Sequence, residues 1–368
     1  MVDTDVCVVG GGPAGLAAAL AVRRRGFSVT VVDHATPPID KACGEGLMPD
    51  SHRYLEKLGI RLQDVETGAF QGIKFLRGDR EASARFPCGV GYGVRRTVMH
   101  ELMVRRATEA GVNLRWGARV DTSRSDNLFV NGKAVRARWI VAADGINSSV
   151  RKWAGLDTGC EHERRIGYRM HFRVRPWSDF VEIYWGRGIQ AYITPISRTE
   201  ICVALISKRK LRSFAEGLTS FPRLQERLSE AICTSRARGS LTISRRFRSV
   251  FRGHVALIGE ASGSVDAITG EGLAMAFRQS LALADAIAAG DLSQYGSAHR
   301  AISEVPGFMA RAMLLMDNSN WVQRRAVTAF MRRPELFARM LSVHVGAAKL
   351  TTFGRHGTVN LALELLSA

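Results

Sequence analysis

Long apolar runs, clustered cysteines and lysines are all scarce in this 368-residue chain. No run approaches the ~18–20 apolar residues needed to cross a bilayer, which points to a soluble or membrane-peripheral protein. The six cysteines, Cys7, Cys43, Cys88, Cys160, Cys202 and Cys233, are dispersed, with no C-x-x-C pair and no Cys/His cluster. That pattern argues against a zinc centre or a disulfide framework, so no metal site is expected and a reducing, cytoplasmic setting is. Asp3 and Asp5 precede the first apolar run, the wrong charge for a secretory leader. Internal repeats and low-complexity segments are absent too.

Acid is scarce relative to base: 34 Asp and Glu stand against 52 Lys and Arg, a net charge of +18. Only eight of the basic residues are lysine. The 46% hydrophobic and 23% charged content is that of a folded protein with a substantial core, and the length suggests two lobes. Residues 205–252 hold twelve basic side chains against Glu216, Glu226 and Glu230, half of the net charge. The stretch lacks interleaved aromatics and any nucleic-acid-binding motif, so a nucleic-acid role is not expected. A peripheral anionic membrane, an acidic protein partner and a merely solvated face all remain open.

What is present begins at residue 4. Val6-Cys7-Val8-Val9 reads as a strand buried on both faces, and it runs into Gly10-Gly11-Gly12-Pro13-Ala14-Gly15. A helix is expected over Leu16–Arg25, stopped by Gly26, and a second strand over Val29–Val32 ends at Asp33. Gly10 permits the tight turn, Gly12 lets backbone approach a pyrophosphate, and Gly15 lets helix pack on strand. Asp33 falls where a carboxylate accepts hydrogen bonds from an adenosine ribose. The unit predicts dinucleotide binding.

Two later segments repeat the strand-to-turn pattern. Residues 137–145 end in Asp144-Gly145, and residues 255–263 contain Gly259-Glu260. The second leads through Thr269-Gly270-Glu271-Gly272 into a helix expected over Leu273–Ala289. In this order and at these separations, the three fingerprints resemble the FAD-dependent superfamily of aromatic hydroxylases and geranylgeranyl reductases, across residues 4–290. The resemblance implies an α/β protein with a Rossmann-like FAD-binding domain of the glutathione-reductase type, para-hydroxybenzoate-hydroxylase-like. The alternating runs within 66–92 and 166–207 read as a mostly antiparallel sheet with one solvated face. In the family such a sheet forms the substrate lobe, and C-terminal helices follow. The expected division is 1–65, 93–160 and 253–300 for the discontinuous FAD-binding domain, 66–92 and 161–252 for the substrate domain, and 301–368 for a helical segment.

The resemblance also implies roles. Adenosine lies at Gly10, Gly12, Pro13, Ala14, Gly15 and Asp33, and the Asp144-Gly145 turn lies near the phosphates. Gly259 and Glu260 hold the sugar chain, Glu260 standing where the family usually has Asp. Gly270, Gly272 and Leu273 open a helix whose N–H groups face the flavin pyrimidine edge. Arg96 is a better match than Arg95 to the cofactor-contacting arginine. Lys41-x-Cys43-Gly44 resembles the Lys-x-Cys-Gly segment of the reductase branch, which puts Lys41 and Cys43 at the cofactor. No catalytic residue is assigned; Cys43, Gly270 and Gly272 are the flavin-proximal candidates.

The implied activity is an FAD-dependent oxidoreductase with NAD(P)H as reductant. The preferred form is a monooxygenase acting on a hydrophobic or aromatic small molecule through a flavin peroxide. A geranylgeranyl-reductase-like C=C reductase is the alternative, favoured by Gly263 and by Cys43-Gly44. Further alternatives are a flavoprotein that oxidises a partner protein and a non-enzymatic escort of prenylated cargo. Halogenation is not expected: Gly188–Pro195 matches the halogenase segment only in its Gly and Pro, with Gln190 and Tyr192 at its tryptophans. For the arginine-rich stretch 321–346 a core-packing helix is preferred to a membrane-surface one.

Overall fold

The apolar run ending at Val9 becomes the middle of a parallel sheet because strands flank it on both sides. In the computed structural model, which describes residues 2–123 and 128–353, the strand Val2–Val9 pairs in parallel with Val29–Val32 and with Lys133–Ala142. Asn113–Arg115 and Val255–Leu257 extend the sheet on either side, again in parallel. Val6, Cys7 and Val8 are fully buried. The helix Pro13–Arg23 packs between Arg96–Glu109 and Gly272–Ala289. Its small residues Ala17, Ala18 and Ala21 are buried, so these backbones approach closely.

The second sheet has nine strands and is antiparallel except where Val181–Trp185 runs parallel to Gly72–Arg77. The expected solvated face is not observed in its central strands. Val181–Trp185 and Ile189–Pro195 are buried at every position. Alternate residues enter two different cores. Ile183, Trp185 and Tyr192 pack with Phe330 and Phe337 of the C-terminal helices, whereas Tyr184, Ala191 and Ile193 pack with Phe214, Leu218 and Leu224. Covering elements on both sides, remote in sequence, replaced the water that alternation alone implied.

Past residue 290 the described residues form three α-helices, Leu292–Asn318, Asn320–Arg332 and Pro334–His344, and a short 3-10 turn at Leu350–Phe353. The expected boundary between 300 and 301 therefore falls inside a continuous 27-residue helix. The reason is that this helix serves both lobes: Tyr295 belongs to the core of the parallel sheet, and Phe308, Met309 and Met313 belong to the core beside the second sheet. The single helix expected over 321–346 breaks at Arg333, which precedes Pro334 and is extended at φ −131°. Phe75 stacks on Phe337 at 4.8 Å, and Phe337 on Phe330 at 4.8 Å, which ties these helices to the sheet. Residues 354–368 of the expected helical segment lie outside the described residues.

The basic stretch 205–252 is not one uncompensated face. Arg227 pairs with Glu182 at 3.2 Å, Arg238 with Asp40 at 3.2 Å, and Arg245 with Glu161. No helix among the described residues is long and apolar enough to cross a membrane.

Candidate functional site

Where the two sheets meet, one cavity of about 650 Å³ opens at the C-terminal end of the parallel strands. It is lined by Gly10, Gly12, Pro13, Ala14, Asp33, Lys41, Cys43, Arg96, Asp144, Gly145, Gly259, Glu260, Gly270, Gly272 and Leu273. Of the cofactor residues expected from sequence, Gly15 alone is not on its wall. A Cβ at Gly15 would stand 1.8 Å from the Gly10 carbonyl oxygen, so this glycine joins helix to strand instead. Gly10 has φ +108°, a conformation that side chains rarely allow. Gly12 is different: its backbone is extended, and no heavy atom lies within 4 Å of where a Cβ would be. That free space is at the N-terminus of the helix Pro13–Arg23, where orphan N–H groups and the helix dipole favour an anion.

Two side chains brace this turn. Asp33 accepts the Gly11 N–H at 2.6 Å and the Ala35 N–H at 2.8 Å, one on each carboxylate oxygen. His100 accepts the Ile39 N–H on Nδ1 at 3.3 Å, which leaves Nε2–H to donate to the Gly11 carbonyl at 2.8 Å. Burial holds His100 below its ordinary pKa, in keeping with this neutral tautomer.

The arginine pair divides its tasks. Arg95 donates from Nε to Glu200 at 2.7 Å and is absent from the cavity wall. Arg96 lines the cavity, and its Nε is buried without a partner. Asp144 accepts the Ser149 N–H at 2.8 Å on Oδ2, while its Oδ1 is buried and unpartnered. Lys41 and Glu260 form an ion pair at 2.5 Å on the wall, a link that neither motif revealed alone. Unpaired guanidinium and carboxylate atoms, together with the open cradle at Gly12, fit the phosphates and hydroxyls of an extended dinucleotide.

Behind Cys43, Glu45 is almost fully buried at φ +59°. It is held there by His171 Nε2 at 2.6 Å and by the Arg96 backbone N–H at 2.9 Å. Glu45, His171 and Cys202 bring their donor atoms within 4.8 Å of one another. Arg169 also lies 3.7 Å from the Glu45 carboxylate, and burial pushes the Cys202 thiol well up, so protein groups already balance this cluster. Its effect is to fix the Cys43-Gly44-Glu45 turn. The half-buried Cys43 accepts the Glu45 N–H on Sγ at 3.4 Å.

The far end of the cavity is apolar, with Ile73, Phe75, Met309, Met313, Phe337 and Met340 on its wall. At the adjoining turn, Gly270 is left-handed at φ +70° and Gly272 begins the helix Gly272–Ala289. Asp266, which caps that turn, is gripped by the buried Arg165 at 3.0 Å, and Arg165 also reaches Asp317 at 3.3 Å. One network thus joins the second sheet, the Ala267–Gly270 turn and the long C-terminal helix.

His344 lines the same cavity, with Glu271 behind it. Their closest atoms, Nδ1 and Oε2, are 3.4 Å apart, and both are buried without a hydrogen-bond partner. Burial drives the two in opposite directions: His344 down to about 4, Glu271 well above the carboxylate range. Burial thus favours the uncharged form of both groups, a protonated acid facing an unprotonated ring nitrogen. Sequence reading missed His344 and the role of Glu271. The only trace was the Thr269–Gly272 motif, which contains Glu271 but is silent about its partner 73 residues away.

Residues 3–292 match the family described as FAD binding domain. Digeranylgeranylglycerophospholipid reductase 1 of Methanopyrus kandleri is 37% identical over 167 residues, 42% of this chain. The match spans less than half, 43%, of that relative's length. The 3-demethoxyubiquinol 3-hydroxylase of Escherichia coli is 25% identical over 342 residues, covering 84% of this chain and 85% of that protein. Among solved structures, a flavoprotein/dehydrogenase from Cytophaga hutchinsonii aligns with a TM-score of 0.84 and 20% identity over 98% of both chains, a likeness of fold.

Proposed function

This chain belongs to the FAD binding domain family, and from that premise we propose that it is an NAD(P)H-dependent monooxygenase of a lipophilic phenol or quinol. The observation that carries the reading is one cavity that runs from the Gly12 cradle to a chamber walled by Ile73, Phe75, Met309, Met313, Phe337 and Met340. A volume of about 650 Å³ lies within the ~300–1,000 Å³ of small-molecule sites. The similarity to a 3-demethoxyubiquinol 3-hydroxylase over 84% of this chain supports the same substrate class.

When bound, FAD would supply hydride acceptance and the activation of dioxygen. The balanced reaction takes substrate C–H, dioxygen, NAD(P)H and a proton to substrate C–OH, water and NAD(P)+. The chain's own residues do the rest. Arg96 and the N-terminus of the helix Pro13–Arg23 would hold the phosphates, and Asp33 would accept the ribose hydroxyls on its remaining lone pairs. The N–H groups that open the helix Gly272–Ala289 would stabilise negative charge at the pyrimidine edge. The apolar chamber excludes water and orients the ring. His344 and Glu271, both buried, would shape the chamber wall beside the Gly270–Gly272 turn.

A C=C reductase is the second reading. It is favoured by Cys43, which lines the cavity within the Lys41–Gly44 segment typical of that branch. The test is oxygen dependence. FAD-loaded protein with NADPH and a long-chain alkylphenol should consume dioxygen in step with hydroxylated product. Anaerobic reduction of an isoprenoid alkene, with no oxygen uptake on the phenol, would replace the first reading by the second.

A further inference from the structure

A second pocket, of about 330 Å³, opens on the surface at the N-terminal end of the helix Asn320–Arg332. Arg77, Arg187, Arg324, Trp185 and Asn320 line it, together with Gly78 and Gly186, and none of these residues lines the cofactor cavity. No acidic side chain is on its wall. Among the described residues Arg77 is anchored only by neutral groups, Gln323 Oε1 at 3.1 Å and Asn320 Oδ1 at 3.4 Å. Among the described residues no carboxylate pairs with Arg77, Arg187 or Arg324, although this chain pairs many of its other arginines. Burial first, and then the fields of Arg324, Arg80 and Arg187, lower the pKa of Arg77. Like charges held together without a counter-charge cost energy unless an anion joins them.

The helix Asn320–Arg332 adds its own N-terminal N–H groups and dipole at the pocket. Guanidinium forks and helix N–H groups around one hollow, with no carboxylate on its wall, match the tetrahedral oxygens of a phosphate.

We propose that this pocket binds a phosphate group, as the free ion or as a monoester or diester at the end of an apolar molecule. Its position relates it to the chamber. In parallel register, Ile183 lies beside Phe75 and both line the cofactor cavity. One two-residue step further along the same strand faces come Trp185 and Arg77, about 6.5 Å away at the usual rise of a strand. An alkyl phosphate whose body reaches toward the chamber would place its head among the arginines.

Binding tests this independently of the reaction assigned to the protein. FAD-loaded protein, with its own phosphate cradle filled, is titrated calorimetrically with inorganic phosphate and with octyl phosphate at low salt. Arg187→Gln and Arg324→Gln replace exposed side chains, so the fold and the flavin absorbance should persist. Each should weaken binding about tenfold, the loss of one charge-assisted hydrogen bond. Arg105→Gln, on the other lobe, should leave it unchanged. Equal affinity for both ligands identifies the free ion, and tighter octyl phosphate identifies an esterified head; both support the site. Binding that is absent in the parent protein, or equal in the parent and all arginine variants, overturns it.

Discussion

Gly12→Ala separates a residue kept for its ligand from one kept for the fold. The backbone at Gly12 is at φ −70° and ψ 178°, which alanine adopts freely, and a Cβ there meets nothing within 4 Å. The apoprotein should therefore keep its stability to within about 0.5 kcal/mol, or gain slightly because alanine restricts the unfolded chain. The added methyl instead fills the space through which a pyrophosphate approaches the helix N–H groups. Losing one such charge-assisted hydrogen bond costs about 1.5–3 kcal/mol, which lowers FAD affinity about 10- to 150-fold. Gly15→Ala should do the reverse first. Its Cβ would lie 1.8 Å from the Gly10 oxygen and 3.2 Å from Ala143 Cβ, so strand and helix must part. Overpacking of this kind costs about 1–3 kcal/mol and lowers the Tm of the apoprotein. Thermal melts of both apoproteins, with titrations of flavin fluorescence, read the two effects separately. Wild-type FAD affinity in Gly12→Ala, or equal loss of apoprotein stability in the two variants, would refute the reasoning.

Other outcomes follow from the same geometry. Asp33→Ala should weaken FAD retention by about 1.5–3 kcal/mol and free the Gly11 N–H, measurable by equilibrium dialysis. Arg165→Met leaves Asp266 and Asp317 buried without their shared cation and should destabilise the protein by about 3–5 kcal/mol in urea, whereas an exposed arginine such as Arg105 should cost almost nothing. His299 and His344 both have folded pKa values of about 4, below the ordinary 6.5, so the unfolded chain binds more protons between those values. Stability should thus be intact above pH 6.5, fall as pH drops from 6.5 towards 4, by about 3 kcal/mol for each residue, and level off below 4. Unfolding curves for His299→Gln should show a flatter acid limb; an unchanged slope would contradict the assignment. His344→Gln should raise KM for the substrate more than it lowers kcat, because the ring lines the chamber wall, as steady-state kinetics would show.

The adenosine end was legible because its residues lie close in the chain. Gly10, Gly12, Gly15 and Asp33 carry their roles in local spacing, and a glycine is the residue that a turn or a close approach requires. Arg96 was preferred to Arg95 from the sequence because Met99 and His100 follow it; that Glu200 engages Arg95 is visible only in the tertiary packing. The second sheet was misread as half-solvated because alternation shows that a strand has two environments but not that both are dry. His344 was beyond reach for a related reason: it sits on a helix whose apolar positions look like ordinary core, and Glu271 gives it meaning only across the fold. The arginine pocket assembles from three segments, at 77, 185–187 and 320–324, none of which carries a motif.

On the proposed function, the apolar chamber presents a lipophilic phenol or quinol to an FAD that activates dioxygen. The most direct measurement is the mass of the product formed from a long-chain alkylphenol by FAD-loaded enzyme and NADPH under isotopically labelled dioxygen. One labelled oxygen atom in the product is the predicted result. Product that forms at the same rate without dioxygen and carries no label would contradict it.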